Sequence, residues 1–244
     1  MIKLIVSDFD GTLMPYGEHA VSQGVKNRIK NALDSGMTFA VSSGRTYGEL
    51  ASFLPEFADS IYFICCDGAY YVKGGKPLYQ KKIEKEDLTL FFNESHKGLS
   101  FVLHGAFSNY SVGDIPSDGQ RFSPKTMQRY ADIDEKIFKV TTYGREFKPS
   151  AYSGLRMHWD GGKEMSAQYV NKFANKGTAL SDLQMRLMLT KFETACIGDS
   201  GNDVAMMRGA KYSYSVSNRC EELLRATDTH LVSVESALDD ILSL

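Results

Sequence analysis

The run Lys3-Leu-Ile-Val-Ser-Asp8-Phe-Asp10-Gly-Thr-Leu13 constrains this chain more than any other segment. Leu4 to Val6 is apolar without alternation, the pattern of a strand buried on both faces and therefore of a parallel sheet covered by helices. Residues two apart in an extended chain share a face, so Asp8 and Asp10 project together from the strand's carboxyl end. That end is where open α/β sheets bind ligands. Two carboxylates held close repel each other unless a cation or a proton lies between them. Three chemistries satisfy that demand: a metal site, an acid/base pair, or a nucleophile beside its proton donor. An Asp at a strand end also serves as a turn or cap residue, but this accounts for one of the two more readily than for both. A calcium loop of the EF-hand kind is excluded, because its twelfth position needs Glu and counting from Asp8 reaches His19.

The strand–helix alternation continues beyond this run. Val21, Val25, Ile29 and Leu33 recur at helical spacing before Gly36, and Thr38–Val41 is a second apolar run, ending in Ser42-Ser43-Gly44-Arg45. A helix is expected over Tyr47–Phe57 and a third buried strand over Ile61–Cys66, followed by Asp67-Gly68. This order predicts a parallel sheet with right-handed crossovers. The pattern then changes. Tyr70–Val72 and Leu78–Gln80 flank Lys73-Gly-Gly-Lys-Pro77 as a hairpin, and Leu155–Trp159 and Met165–Val170 flank Asp160-Gly-Gly-Lys163 as another. After Gly177 the alternation resumes, with a helix at Ala179–Leu189, a strand at Thr194–Ile197 ending in Gly198-Asp199, a helix at Val204–Arg208, a strand at Tyr212–Val216, a helix at Glu221–Ala226, a strand at His230–Val232 and a helix at Glu235–Leu244. The expected architecture is α/β, a doubly wound parallel sheet formed by residues 1–82 and 173–244, with an α+β domain inserted at 83–172.

Composition limits the partners. The 244 residues carry a net charge of −2 and a pI near 6.2, so no basic field draws in nucleic acid or an anionic membrane. No apolar run approaches the ~18–20 residues of a membrane span, and the stretch before Asp8 is too short for a signal peptide. Cys65, Cys66, Cys196 and Cys220 show no metal-binding spacing, which points to buried thiols in a reducing cytoplasm.

Polar groups gather at the expected strand ends and helix starts: Asp8, Asp10 and Thr12; Ser42 and Ser43; Lys176; and Asp199-Ser-Gly-Asn202-Asp203. The carboxyl ends of one parallel sheet share a crevice, so these groups can converge. That many acids in one place require a cation, and oxygen ligands select a hard one such as Mg²⁺. Mg²⁺ with a lysine and a hydroxyl makes a phosphoryl-transfer site.

Asp8-Phe-Asp-Gly-Thr-Leu13, Ser43-Gly-Arg45, Asn175-Lys-Gly-Thr-Ala-Leu180 and Gly198-Asp-Ser-Gly-Asn-Asp-Val-Ala-Met-Met207 resemble, in order and spacing, the four motifs of the haloacid dehalogenase superfamily. The resemblance is closest to its Cof-like branch of sugar-phosphate phosphatases, which carry a large C2-type cap between the second and third motifs. It implies a Rossmann-like core and a small phosphorylated substrate. Asp8 would be the nucleophile that forms an aspartyl-phosphate, and Asp10 the acid and then the base. Ser43 and the backbone at Gly11, Thr12 and Gly44 would cradle the phosphoryl group, with Lys176 neutralising charge and Asn202 positioning phosphate or the groups behind it. Mg²⁺ would lie on the Asp8 carboxylate, the Asp10 carbonyl and the Asp199 carboxylate, supported by Asp203 through water.

Each role has a plainer rival. Ser43 suits a helix N-cap, Lys176 a solvated helix start, and Asp203 a complement to the helix dipole. Arg45 reads as a structural or rim residue. The family usually carries Asn-Gly-Ala after the third strand, and this chain has Asp67-Gly68-Ala69, which bears on substrate preference but on no catalytic group. Candidate readers of the leaving group in the insert are His104, Asn109, Tyr110, Arg121, Lys125, Arg145, Arg156, His158 and Trp159. A phosphomutase on the same scaffold is the nearest alternative. A receiver-like signalling module is a more distant one, since it needs only ~120 residues and no insert.

Overall fold

The computed structural model describes residues 1–94, 100–113, 115, 124–127, 129–143, 154–160, 166–231 and 233–244. An eight-stranded sheet runs in the order β14-β13-β12-β1-β2-β3-β4-β5. Its strands are β1 (Leu4–Asp8), β2 (Thr38–Ser42), β3 (Tyr62–Cys65), β4 (Tyr70–Lys73), β5 (Lys76–Gln80), β12 (Thr194–Gly198), β13 (Tyr212–Ser215) and β14 (Thr229–His230). From β14 to β3 the neighbours are parallel. The expected hairpin forms as β4 and β5 but joins the same sheet, adding two antiparallel strands at its edge.

The unalternating strands are explained by helices on both faces. Leu4 and Val6 pack on one side with Ala179, Leu180 and Leu183 of α4 (Lys176–Leu187) and with Val204 and Met207 of α5 (Val204–Met207). Ile5 packs on the other with Val25 and Ile29 of α1 (Gln23–Asp34), Leu50 and Phe53 of α2 (Tyr47–Phe53), and Leu238 and Ile241. Three expected bounds shift for local reasons. The helix from Tyr47 stops at Phe53 because Pro55 pushes Leu54 out of the helical region, to φ −130°, and Pro55–Phe57 forms a separate 3-10 turn. α4 starts at Lys176, three residues earlier than the apolar spacing suggests, because Asn175 and Thr178 make a capping box. The last strand covers Thr229–His230; Val232 lies outside the described residues.

A second sheet, in the order β10-β11-β9-β6-β7-β8, takes its strands from within the chain between β5 and α4. These are β6 (Ser100–His104), β7 (Asn109–Val112), β8 (Lys125–Thr126), β9 (Lys139–Tyr143), β10 (Leu155–Asp160) and β11 (Ser166–Asn171). Here side chains alternate strictly. Phe101, Leu103, Val140, Ala167 and Tyr169 pack with Leu88 and Phe91 of α3 (Lys85–Glu94). Their neighbours Val102, His104, Lys139, Thr141, Gln168 and Val170 point from the other face towards the carboxyl end of the large sheet. Among the described residues no helix is long and apolar enough to cross a membrane.

Candidate active site

β1 ends at Asp8, and its carboxylate is almost fully buried at the centre of the sheet's carboxyl edge. Across the crevice the first residue of α4 supplies Lys176, 1% exposed, whose Nζ donates to Asp8 Oδ1 and Asp203 Oδ1 at 2.6 Å each. Asp203 Oδ2 accepts from the Asp199 and Ser200 amides at 3.1 Å, so its capping role and its partnership with lysine coexist. Asp8, Asp199 and Asp203 offer oxygens within 4.8 Å of one another.

One ammonium for three buried carboxylates leaves the cluster short of positive charge. Burial pushes the Asp8 carboxyl well above its ordinary range, with Asp203 and Asp199 adding to the effect and Lys176 opposing it. Asp199 is raised for the same reasons, burial first and then Asp203. Against the pull of burial, Asp203 and Asp8 hold the Lys176 ammonium above its ordinary value. Asp8 Oδ2 and Asp199 Oδ1 are buried with no hydrogen-bond partner. Two orphaned carboxylate oxygens beside each other in an electron-rich pocket fit a hard divalent cation.

Tyr16, to which no sequence pattern points, donates its hydroxyl to the other Asp199 oxygen at 3.0 Å, and burial with Asp199 keeps the phenol protonated. Gly11 (φ +86°) lies against this pair, and a Cβ there would come within 2.5 Å of Asp199 Oδ2 and of the Tyr16 ring. Thr12 is buried with its Oγ1 unpartnered; with Gly11 it borders a separate recess shared with Pro15, Ser217 and Arg219 rather than the main cavity.

Asp10 lies on the open side. Arg45 Nη2 donates to its Oδ1 at 2.7 Å and Nε to its Oδ2 at 2.9 Å, and Ser43 Oγ reaches Oδ2 at 3.3 Å. Arg45 is therefore the ion-pair partner of Asp10 rather than a rim residue, stacked over Phe53 at 5.1 Å. Ser43 also accepts from the Arg45 amide at 3.1 Å. The helix cap nearby is Thr46, not Ser43.

A cavity of about 430 Å³ separates this edge from the second sheet. Of the expected readers, His104, Asn109 and Arg156 line it. Tyr110 instead donates to Glu135 at 2.6 Å, and Lys125 lies exposed over the Tyr110 ring. Arg121, Arg145 and the side chains of His158 and Trp159 lie outside the described residues. Lys139, Thr141 and Gln168 line the cavity too and were not expected; strand alternation through Lys139-Val-Thr-Thr-Tyr143 was the signal for the first two. Burial, reinforced by Lys139, depresses the His104 imidazole well below its ordinary value, and the ring sits between Asn109 Oδ1 and Thr141 Oγ1 at 3.0 and 2.9 Å. Asn202 borders the cavity and donates to Asp67 Oδ1 at 3.2 Å.

The family model for haloacid dehalogenase-like hydrolases matches residues 5–237, almost the whole chain. The chain belongs to the haloacid dehalogenase-like hydrolases. Among its relatives is the 5-amino-6-(5-phospho-D-ribitylamino)uracil phosphatase YbjI of Escherichia coli, 24% identical over 89% of this chain and 86% of that protein. Another is a phosphoglycolate phosphatase of Metallosphaera sedula, 25% identical over 95% of this chain and 92% of that one. The fold is shared with SMU.1108c of Streptococcus mutans at a TM-score of 0.83 and 21% identity, with 100% of both chains covered. A haloacid dehalogenase subclass IIB sugar phosphatase superposes at 0.77 with 17% identity, over 98% of each chain. In this haloacid dehalogenase-like hydrolase, the four motif segments thus meet at one crevice.

Proposed function

We propose that this hydrolase is a Mg²⁺-dependent phosphatase that cleaves a small phosphorylated metabolite, a sugar or polyol phosphate, through an aspartyl-phosphate at Asp8. The observation that carries the reading is the pair of orphaned buried oxygens, Asp8 Oδ2 and Asp199 Oδ1, beside an Asp8 whose other oxygen is fixed by Lys176. The names of the relatives support the phosphatase class, and the neutral polar lining from His104, Asn109, Thr141 and Gln168 supports a hydroxylated leaving group.

Asp8, Asp199 and the backbone at Asp10 would hold Mg²⁺, with Asp203 behind them, and the ion would supply neutralisation of charge on the phosphoryl oxygens. Lys176 holds the Asp8 carboxylate in place through one oxygen, and Asp8 attacks phosphorus. The phosphorus–oxygen bond to the leaving group breaks as the Asp8–phosphorus bond forms. Asp10 gives a proton to the departing oxygen and later takes one from the water that releases inorganic phosphate. Arg45 aims the Asp10 carboxyl. Ser43 and the backbone at Gly44 cradle the phosphoryl oxygens, with Asn202 beside them; the Gly11 and Thr12 amides, expected to share that role, donate instead to the Met14 and Phe9 carbonyls at 2.8 and 3.3 Å. Residues 1–82 and 173–244 form the catalytic core, and residues 83–172 act as a cap that excludes water and reads the leaving group. The free thiols, three of them buried, support a cytoplasmic protein.

The test is phosphate release from p-nitrophenyl phosphate and from a panel of sugar phosphates, with Mg²⁺ and with chelator. Asp8→Asn should lower turnover at least about a thousandfold, and chelator should abolish it. Full turnover by Asp8→Asn removes the nucleophile from the scheme, and equal rates in chelator remove the metal.

A further inference from the structure

One charged pair in the cavity has no part in that chemistry. Lys139 projects from the second sheet and Asp67 from the loop after β3, with Lys139 Nζ 3.6 Å from Asp67 Oδ2. Both side chains are largely shielded, 7% and 16% exposed. Lys139 Nζ also donates to the Gly44 carbonyl and to Gln168 Oε1. Asp67 accepts from Asn202 on its other oxygen. Burial opposes its ionisation, but Lys139, with Lys176 and Arg156, holds its carboxyl below the ordinary range, so it is a carboxylate at neutral pH.

The backbone that presents Asp67 is strained. Cys66 and Asp67 have φ of +48° and +56°, and Gly68 follows at +88°. Two non-glycine residues in succession in the left-handed region cost energy and persist only where surroundings dictate them. The surroundings here are the phosphate loop: the Cys66 amide donates to the Arg45 carbonyl at 2.9 Å and the Asp67 amide to the Ser43 carbonyl at 3.0 Å. The turn carries the Asp67 side chain into the cavity between the phosphoryl cradle and the second sheet.

Two other cations, Arg45 and Arg156, line the cavity. Arg45 is paired with Asp10. Arg156 turns Nε and Nη2 onto the Ala174 carbonyl, at 3.0 and 2.7 Å. His104 is neutral. Among the described residues, Lys139 is the cavity-lining cation that Asp67 pairs with, and Asp67 offsets its charge.

We propose that Asp67 and Lys139 set the charge of the leaving group: as a neutralised pair they admit an uncharged, hydroxyl-bearing group and reject one that carries a second anion. This rests on the phosphatase reading and narrows its substrate class. A carboxylate or second phosphate entering here meets Asp67 beside a Lys139 already paired with it, whereas a hydroxyl can donate to Asp67 and accept from Asn202 or Gln168. Removing either charge tips selectivity, in opposite directions. Asp67→Asn keeps a residue that tolerates the left-handed turn and frees Lys139 for an anion. Lys139→Met keeps the stem and removes the cation paired with Asp67.

The experiment compares kcat/KM for glucitol 6-phosphate and 6-phosphogluconate, which differ only in a terminal CH₂OH against a carboxylate. The wild-type protein should favour glucitol 6-phosphate by at least about tenfold, equivalent to about 1.4 kcal/mol. Asp67→Asn should shrink that ratio about tenfold and Lys139→Met should widen it. Each ratio is measured within one variant, so a general loss of activity cancels. Should Asp67→Asn not fold, as judged by circular dichroism, the direction of the Lys139→Met shift decides alone. Ratios that stay put, or move the same way in both variants, overturn the pairing. A wild-type protein that releases phosphate from neither ester nor from p-nitrophenyl phosphate overturns the phosphatase reading instead.

Discussion

At the scale of single residues, the acids were legible because Asp-x-Asp at one strand end and Asp-x-x-x-Asp after another place more carboxylates together than capping alone requires. Their partners were not. Arg45, Tyr16 and Lys139 are ordinary residue types at positions that acquire meaning only when distant segments meet. Lys176 was legible only through the motif around it, yet the structure makes it the sole counter-cation of Asp8 and Asp203 among the described residues. Lys176→Met leaves two buried carboxylates facing each other, and breaking a buried pair in this way costs about 3–5 kcal/mol. Urea unfolding in chelator should show a loss of that size, and an unshifted midpoint would mean the acids are already protonated. His104 makes a second residue-scale prediction, through pH. The folded protein keeps this imidazole neutral, with its value pushed well below the usual one by burial. The unfolded chain takes up a proton near pH 6.5 that the folded chain refuses, so the histidine's share of stability falls as pH drops below about 6.5. The slope is at most about 1.4 kcal/mol per pH unit for one proton. His104→Gln should flatten the dependence of unfolding free energy on pH between 6.5 and 5; identical slopes in both proteins would refute the neutral assignment.

At the scale of elements, periodicity located most strands and helices of the large sheet to within a few residues, because burial on two faces leaves a strong apolar signal. What it could not show is how the elements abut. Gly68 follows the third expected strand and Gly177 precedes the helix expected from Ala179, and both are there for close approach. A Cβ on Gly177 would sit 2.6 Å from the Ala205 carbonyl, and one on Gly68 2.2 Å from the Asn175 carbonyl. The turn after β3 therefore rests directly on the backbone that starts α4 and aims Lys176. Gly68→Ala adds a methyl into that contact at φ +88°, combining a strained conformation with overpacking against backbone that cannot rotate away. A loss of roughly 2–4 kcal/mol is expected. Turnover should fall beyond what the unfolded fraction explains, because the start of α4 is displaced. Denaturant unfolding alongside kcat separates the two effects, and a variant with wild-type stability would show that the turn has slack.

At the scale of the molecule, the sequence disclosed that an insert exists but not how it meets the rest, since the seam is made by backbone carbonyls and single side chains with no periodic signature. The Tyr70 hydroxyl accepts from the Tyr47 amide and donates to the Ala106 carbonyl, both at 2.9 Å. Phe107 stands edge-on to Tyr47 with ring centroids 5.7 Å apart. These contacts hold the β6–β7 turn down on α2, and Gly48 is what lets it approach, since a Cβ there would lie 2.9 Å from the Phe107 carbonyl. Gly48→Ala forces that turn to retreat by a few tenths of an ångström or to lift. The substitution lies within α2, where alanine is the better helix former by roughly 1 kcal/mol, so the large sheet and its helices should lose no stability. If the second sheet is held closed over the site chiefly through this turn, Gly48→Ala should unfold at or above the wild-type midpoint. It should nevertheless be cleaved faster by protease at the two crossings near residues 82 and 173, and show a higher KM with kcat less affected. Faster cleavage together with a lowered midpoint would point to damage in α2 itself. Unchanged cleavage and KM would move the weight of closure onto Lys139 and Arg156, whose bonds to Gly44 and Ala174 span the same seam.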